Sequence, residues 1–292
     1  MINIAARDVE VHGATASPPS QTALTRHAKI EVPLVCGPMY PCSNPELVAA
    51  VSRAGAIGVV QPIALTYVHG HKFRDGVRLI NRLAAGRPIG FNALIEASST
   101  TYHHRMVQWV EIALEEGVRF FITSLGNPRW VVERVHAAGG VVYHDVTEKK
   151  WALKGRDGGV DGLVAVSRDA GGHTGSRSAA TLFDEIADLG LPVIAAGGVG
   201  NATQFRALLD LGYAGVQLGT RFRLFRGRTT KHWMRTFYAL RSLHQLKRSN
   251  ATGAKPDYWQ AGRSVESIHD IVPAATIVRA FAEAIATTPG AA

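Results

Sequence analysis

Short apolar runs alternate with longer amphipathic stretches along nearly the whole chain. The runs fall at residues 33–37, 56–60, 88–94, 119–123, 140–144, 162–166, 192–196 and 214–218. Each is almost continuously apolar and rich in small or β-branched residues, the pattern of a strand buried on both faces. The stretches between them carry apolar residues at helical spacing. Asn44-Pro45 opens one such stretch, with asparagine as N-cap and proline at the first helical position, and Gly55 closes it. Further helices are predicted around 75–85, 103–116, 128–138, 148–154, 182–189 and 203–211. Parallel strands need crossovers, so the alternation predicts a parallel α/β sheet. Eight units predict closure as a TIM (β/α)8 barrel.

Outside residues 29–222, which we assign to the barrel, the alternation is absent. Residues 1–28 read as a flexible leader, with Ala, Ser, Thr and Pro concentrated in 13–23. After the eighth run, residues 223–292 form a mostly helical extension. Its first part, to about residue 250, is basic. Its last helix, 273–286, opens at Pro273 and places Ile277, Val278, Phe281 and Ile285 on one side.

Composition narrows the class. A chain of 292 residues holds one barrel with additions. No segment approaches the roughly 18 uninterrupted apolar residues of a membrane span, so no membrane partner is expected. Asp8 and Glu10 and the lack of an apolar core argue against a secretory signal. Two cysteines, Cys36 and Cys42, exclude a disulfide framework and suggest reduced thiols in a cytoplasmic protein. The net charge of +9 is unevenly placed: between Asp210 and Asp257 there is no acidic residue and there are ten Lys or Arg. That stretch reads as a solvated helical face, or as a dock for an anionic group such as a phosphate, a coenzyme A moiety or an acidic carrier protein. It carries no nucleic-acid-binding signature, and no nucleic acid is expected.

Three glycine clusters carry the chemistry. They are Asp169-Ala-Gly-Gly-His-Thr-Gly175, Ala195-Ala-Gly-Gly-Val-Gly-Asn201 and Gln217-Leu-Gly-Thr-Arg-Phe222. All three lie at successive strand ends, on the face where TIM barrels hold their sites and often a phosphate. Glycine lets the backbone approach a phosphate closely. Gly197, Gly198, Gly219 and Thr220 are therefore phosphate candidates. His173, between glycines, is poorly explained as core and suits proton transfer or hydrogen bonding near neutral pH. Asp169 is placed to orient it or to bond a cofactor. Asn92, at the end of the third run, offers a donor and an acceptor to a ring edge, or caps a turn. His144 and Asp145 end the fifth run; His144 either faces the pocket or is a satisfied interior histidine. His69, His71, His103 and His104 lack a completing ligand set, and no metal is assigned.

These residues resemble the nitronate monooxygenase family, formerly 2-nitropropane dioxygenases, which includes flavin-dependent enoyl-acyl carrier protein reductases. The matching pieces are Gly37-Pro-Met39, residues 44–50 through Gly55-Ala-Ile-Gly58, Ala170-Gly-Gly-His-Thr-Gly175, Ala195-Ala-Gly-Gly-Val199, Leu218-Gly-Thr-Arg-Phe222 and Trp259-Gln-Ala-Gly-Arg-Ser264. The resemblance implies a barrel that binds FMN without a covalent link. Gly37, Pro38 and Met39 would approach the flavin ring. Asn92 would contact the ring or its side chain, Gly171 and Gly172 would lie along the ribityl chain, and His173 matches the active-site histidine. Val166, Ser167 and Asp169 stand where many relatives carry a Gln-Gly pair and a glutamate.

The resulting expectation is FMN-dependent oxidation of nitronates or nitroalkanes by oxygen to a carbonyl compound and nitrite. The alternatives are an NAD(P)H-dependent enoyl-thioester reductase acting on an acyl carrier protein or CoA substrate, and a non-catalytic flavin- or phosphate-binding subunit. The expected partners are a small-molecule substrate, an acidic carrier or CoA moiety at 221–248, and a second copy of the chain in a homodimer.

Overall fold

Eight parallel strands close a barrel in sequence order. They are β1 (Leu34–Cys36), β2 (Ile57–Val60), β3 (Gly90–Ile95), β4 (Phe120–Leu125), β5 (Val141–Val146), β6 (Gly162–Val166), β7 (Val193–Ala196) and β8 (Gly215–Leu218). β8 returns to β1, with Leu34 opposite Val216 and Cys36 opposite Leu218. The computed structural model describes residues 21–96, 99–172, 174–223, 268 and 272–286. Most of the predicted basic segment therefore lies outside the described residues.

The connecting helices are α2 (Pro45–Arg53), α3 (Phe73–Ala84), α4 (Thr100–Glu115), α5 (Arg129–Ala137), α6 (Lys149–Asp157), α7 (Ala179–Ile186) and α8 (Ala202–Asp210). Their starts follow capping chemistry. The side chain of Asn44 accepts from the Leu47 amide at 2.7 Å. Ser99, Ser178 and Asn201 cap α4, α7 and α8 in the same way. A π-helical turn, Ala64–Val68, follows β2 and was not foreseen.

Along each strand, side chains alternate between the barrel axis and the surrounding helices. Phe91, Ala93, Phe121, Val142 and Val146 belong to the outer core beneath the helices. Val35, Ile57, Val59, Phe120, Ile122, Tyr143, Val164 and Ile194 fill the axis.

The N-terminal boundary is a correction. Residues 23–28, assigned to a flexible leader, form the helix α1 (Ala23–Ala28). Thr22 caps it, and Leu24 is fully buried with the axial residues. Burying one leucine contributes about 2 kcal/mol. Gly215 makes room for it: a Cβ there would lie 2.3 Å from Leu24 Cδ2. His27 Nδ1 meets Tyr143 Oη at 3.0 Å. α1 thus plugs the floor of the barrel, opposite the face that carries the glycine loops.

A four-residue helix, α9 (Thr220–Arg223), follows β8, and α10 (Ala274–Ala286) packs against α2 and α8. Ile277, Val278, Phe281 and Ile285 of α10 are buried, the stripe expected from the sequence. The Phe281 ring meets Phe205 edge-on at 4.9 Å. α10 fills the outer layer between β8 and β1.

Candidate active site at the C-terminal face

The loops after β6, β7, β8 and β1 converge at one end of the barrel. The amide of Gly198 donates to Asp169 O at 3.1 Å and ties the β7 loop to the β6 loop. Gly197 sits at φ 110° and Gly198 at φ 78°, a backbone that L side chains rarely adopt. A Cβ on Gly197 would lie 2.5 Å from the Ala170 amide nitrogen and 2.7 Å from Ser167 Oγ. Ser167 Oγ in turn accepts from the Asp169 amide at 3.3 Å. These two glycines are therefore required by close approach of the loops as well as by the turn.

The second junction joins β8 to β1. Gly37 donates to Leu218 O at 2.9 Å. The Met39 amide donates to Ser43 Oγ at 2.9 Å, and Met39 Sδ lies 3.6 Å from where a Gly219 Cβ would be. Pro38 lies between these two anchored residues, and Thr220 is buried at the start of α9. Gly171 and Gly172 are exposed in the β6 loop, with Gly172 at φ 83° and nothing within 4 Å of its Cβ position. His173 lies outside the described residues.

Asn92 is buried on the axial face of β3, between the outward Phe91 and Ala93. Its Nδ2 donates to Ile122 O over a long 3.4 Å. It stands in the middle of β3, opposite Ile122.

His144 resolves in favour of the interior reading. It points outward beneath α6, where a Cβ on Gly155 would lie 3.2 Å from its Cδ2. Its Nδ1 is bonded to Thr123 Oγ1 at 2.8 Å. Burial, aided by Lys154, pushes its pKa down to about 4, so the imidazole is neutral. His69 is spent on Pro41 O at 3.0 Å, and His103 packs edge-on against Trp130.

Two polar residues of the axial face escaped the sequence reading as site residues. Gln217 on β8 lies against Gly37, and its Oε1 is buried with no partner among the described residues. Asp145 on β5 accepts from Ser124 Oγ at 2.6 Å, and its other oxygen is likewise buried with no partner among the described residues. In the sequence Gln217 stands only at the edge of a glycine cluster, and Asp145 only beside His144.

Comparison with known proteins completes the picture. The family model described as nitronate monooxygenase matches residues 21–279. The chain belongs to the nitronate monooxygenase family. It is 28% identical over 237 residues to a 5-hydroxy-7a-methyl-1-oxo-octahydro-1H-indene-4-carboxyl-CoA dehydrogenase of Rhodococcus jostii, covering 81% of this chain and 64% of that protein. It is 30% identical over 237 residues to a nitronate monooxygenase of Neurospora crassa, covering 65% of this chain and 59% of that protein. The chain thus spans less than two thirds of the length of either relative. Among solved structures, FabK from Thermotoga maritima superposes with a TM-score of 0.70 at 22% identity, covering 91% of this chain and 96% of that one. A nitroalkane oxidase from Streptomyces ansochromogenes does so with 0.68 at 22%, covering 91% and 98%. At that identity the two structures support the family's barrel fold alone.

Proposed function

We propose that this member of the nitronate monooxygenase family is an FMN-dependent enzyme that oxidises nitronates with oxygen to a carbonyl compound and nitrite. The observation that carries this reading is the family match over residues 21–279. The geometry supports a cofactor of this kind. Gly197 and Gly198 press bare backbone of the β7 loop against the β6 loop, where no side chain fits, and Gln217 beside Gly37 holds an amide oxygen with no partner among the described residues. A phosphate suits the first, and a ring N–H suits the second.

In this reading Gly197, Gly198, Gly219 and Thr220 hold the phosphate. Gly171 and Gly172 line the ribityl chain, Asp169 bonds the cofactor or orients His173, and the backbone of Gly37, Pro38 and Met39 lies along the ring. Asn92 and Gln217 bond its edge. When bound, FMN supplies the redox chemistry; the chain supplies placement and electrostatics. His173 donates a hydrogen bond to the nitro group, or takes the α-proton of a neutral nitroalkane. The axial aliphatic layer below keeps water from the floor of the site.

Anaerobic mixing of the FMN-loaded protein with an alkyl nitronate, followed in the visible flavin spectrum, tests the proposal. A rapid change with nitronate and none with NADH is the expected result. Bleaching by NADH alone would move the assignment to a reductase. His173→Ala should retain FMN and lose turnover; unchanged turnover would remove the histidine from the mechanism.

A second reading is favoured by a specific observation. Two curated relatives, at 28% and 31% identity, are named carboxyl-CoA dehydrogenases. With the acid-free basic stretch after Asp210, this favours a CoA thioester as substrate. Thioester-dependent oxidation of NAD(P)H, or flavin reduction by an acyl-CoA, would support it. A cytoplasmic location and a homodimer belong to either reading.

A further inference from the structure

Asp145 has no part in the cofactor cradle, yet its place on the axial face is unusual. Alternation on β5 turns His144 out toward α6 and turns Asp145 in, two residues above Tyr143. The carboxylate stands at the C-terminal end of the strand, the end that carries the active-site loops. Ser124, beside it on β4, donates to Oδ2 at 2.6 Å, while Oδ1 is buried with no partner among the described residues. An ionised carboxylate with one buried oxygen unpaired costs several kcal/mol in typical interiors. A proton on Oδ1 removes the charge and converts that oxygen to a donor on the axial side of the sheet.

We propose that Asp145 is a substrate-binding carboxylic acid that donates a hydrogen bond from Oδ1 to an oxygen of a bound oxyanion, a planar nitronate or the isosteric carboxylate. The proposal rests on the reading that an oxyanion enters this mouth. Burial raises the pKa of Asp145 to about 6, and the Ser124 bond opposes that rise. The residues that face it across the sheet are uncharged: Ser124 on β4, and Val164 and Val166 on β6. Among the described residues, the charged groups on the adjoining loops are Glu148 beyond β5, ion-paired to Lys150 at 3.0 Å, and Arg168, Asp169 and Arg177 beyond β6, with Arg177 ion-paired to Glu185 at 2.9 Å. Below the midpoint the acid donates to the anion; above it, carboxylate and anion repel.

Two measurements on the full-length, FMN-loaded protein test this. Infrared difference spectra across the titration should show a protonated-carboxyl C=O band that is absent in Asp145→Asn. Ser124→Ala should move its midpoint upward, because it removes a bond that favours the charged form. No such band at acidic pH overturns the proposal. The second measurement is titration with isobutyrate, read in the flavin spectrum. Wild-type affinity should fall by about tenfold per pH unit above the midpoint. Asp145→Asn, which keeps a donor, should bind with little pH dependence, and Asp145→Ala should bind weakly throughout. Equal pH profiles in wild type and Asp145→Asn, or no isobutyrate binding, overturn it. Isobutyrate binding with the expected profile in a protein that does not turn over nitronates retains Asp145 and discards the nitronate reading.

Discussion

Gly197 presses against Ala170 so closely that a Cβ would fall 2.5 Å from the Ala170 amide nitrogen. The contact is backbone to backbone, and the Gly198 amide bond to Asp169 O fixes the same pair of loops. Neither loop can yield without opening the proposed phosphate site. Gly197→Ala adds both the clash and the strain of a side chain at φ 110°, which costs about 1–3 kcal/mol. We expect a lowered melting temperature and at least a tenfold loss of FMN affinity, measured by fluorescence titration. Gly172→Ala is the control. It carries the strain at φ 83° with open space around the Cβ, and should lose much less. Equal losses would show that packing against Ala170 is not what matters.

Gly37 and Gln217 meet in a different way. A Cβ on Gly37 would lie 2.9 Å from Cγ and Cδ of Gln217, and a side chain can swing aside where backbone cannot. On the proposed contact of Gln217 with the flavin edge, Gly37→Ala should therefore fold normally and lose FMN affinity, by about tenfold, because the Gln217 side chain is displaced. Gln217→Ala should lose a similar amount. If the two act through one contact, the double variant is no worse than either single variant. Additive losses would separate them.

The barrel was legible because its signals are local and repeated. Each strand announces itself by a continuous apolar run, and Asn44 and the α10 stripe follow from capping and periodicity alone. α1 was missed because six residues are too few to display a period, and its one anchor, Leu24, finds its pocket only when Gly215 arrives from the far end of the chain. The glycine clusters were legible as loops. Which of His144 and Asp145 faces the axis was not, since both end the same run and only the closed barrel sets their direction. Gln217 gains meaning from Gly37, a neighbour that no local pattern supplies.

The two thiols differ in environment. Cys36 is buried on β1, and burial pushes its thiol pKa far above the usual range. Cys42, in the loop beyond, is partly exposed. Thiolate is the reactive form, so native protein should take up one equivalent of a thiol reagent, at Cys42, and a second only on unfolding. Fast double labelling of native protein would contradict the packing of β1.

Adjacent residues on β5 set opposing pH dependences of stability. His144 has its pKa lowered from 6.5 to about 4, so the unfolded chain takes up its proton first. The stability it contributes is full above about 6.5 and is lost as the pH falls toward 4, by about 3 kcal/mol at most. Asp145 has its pKa raised from 3.8 to about 6, so the folded chain holds the proton. Its contribution is full below 3.8 and is lost as the pH rises toward 6, again by about 3 kcal/mol at most. Over the shared window the two slopes cancel, and these residues leave the wild-type stability nearly flat. Asp145→Asn removes the falling slope, so stability should climb with pH through the window. The variant should also exceed wild type at neutral pH, where the buried carboxylate is ionised. His144→Gln leaves the falling slope alone. Urea unfolding across the window, read as free energy against pH, distinguishes the cases. An Asp145→Asn profile with the same slope as wild type would mean that the carboxyl is not held neutral inside the barrel.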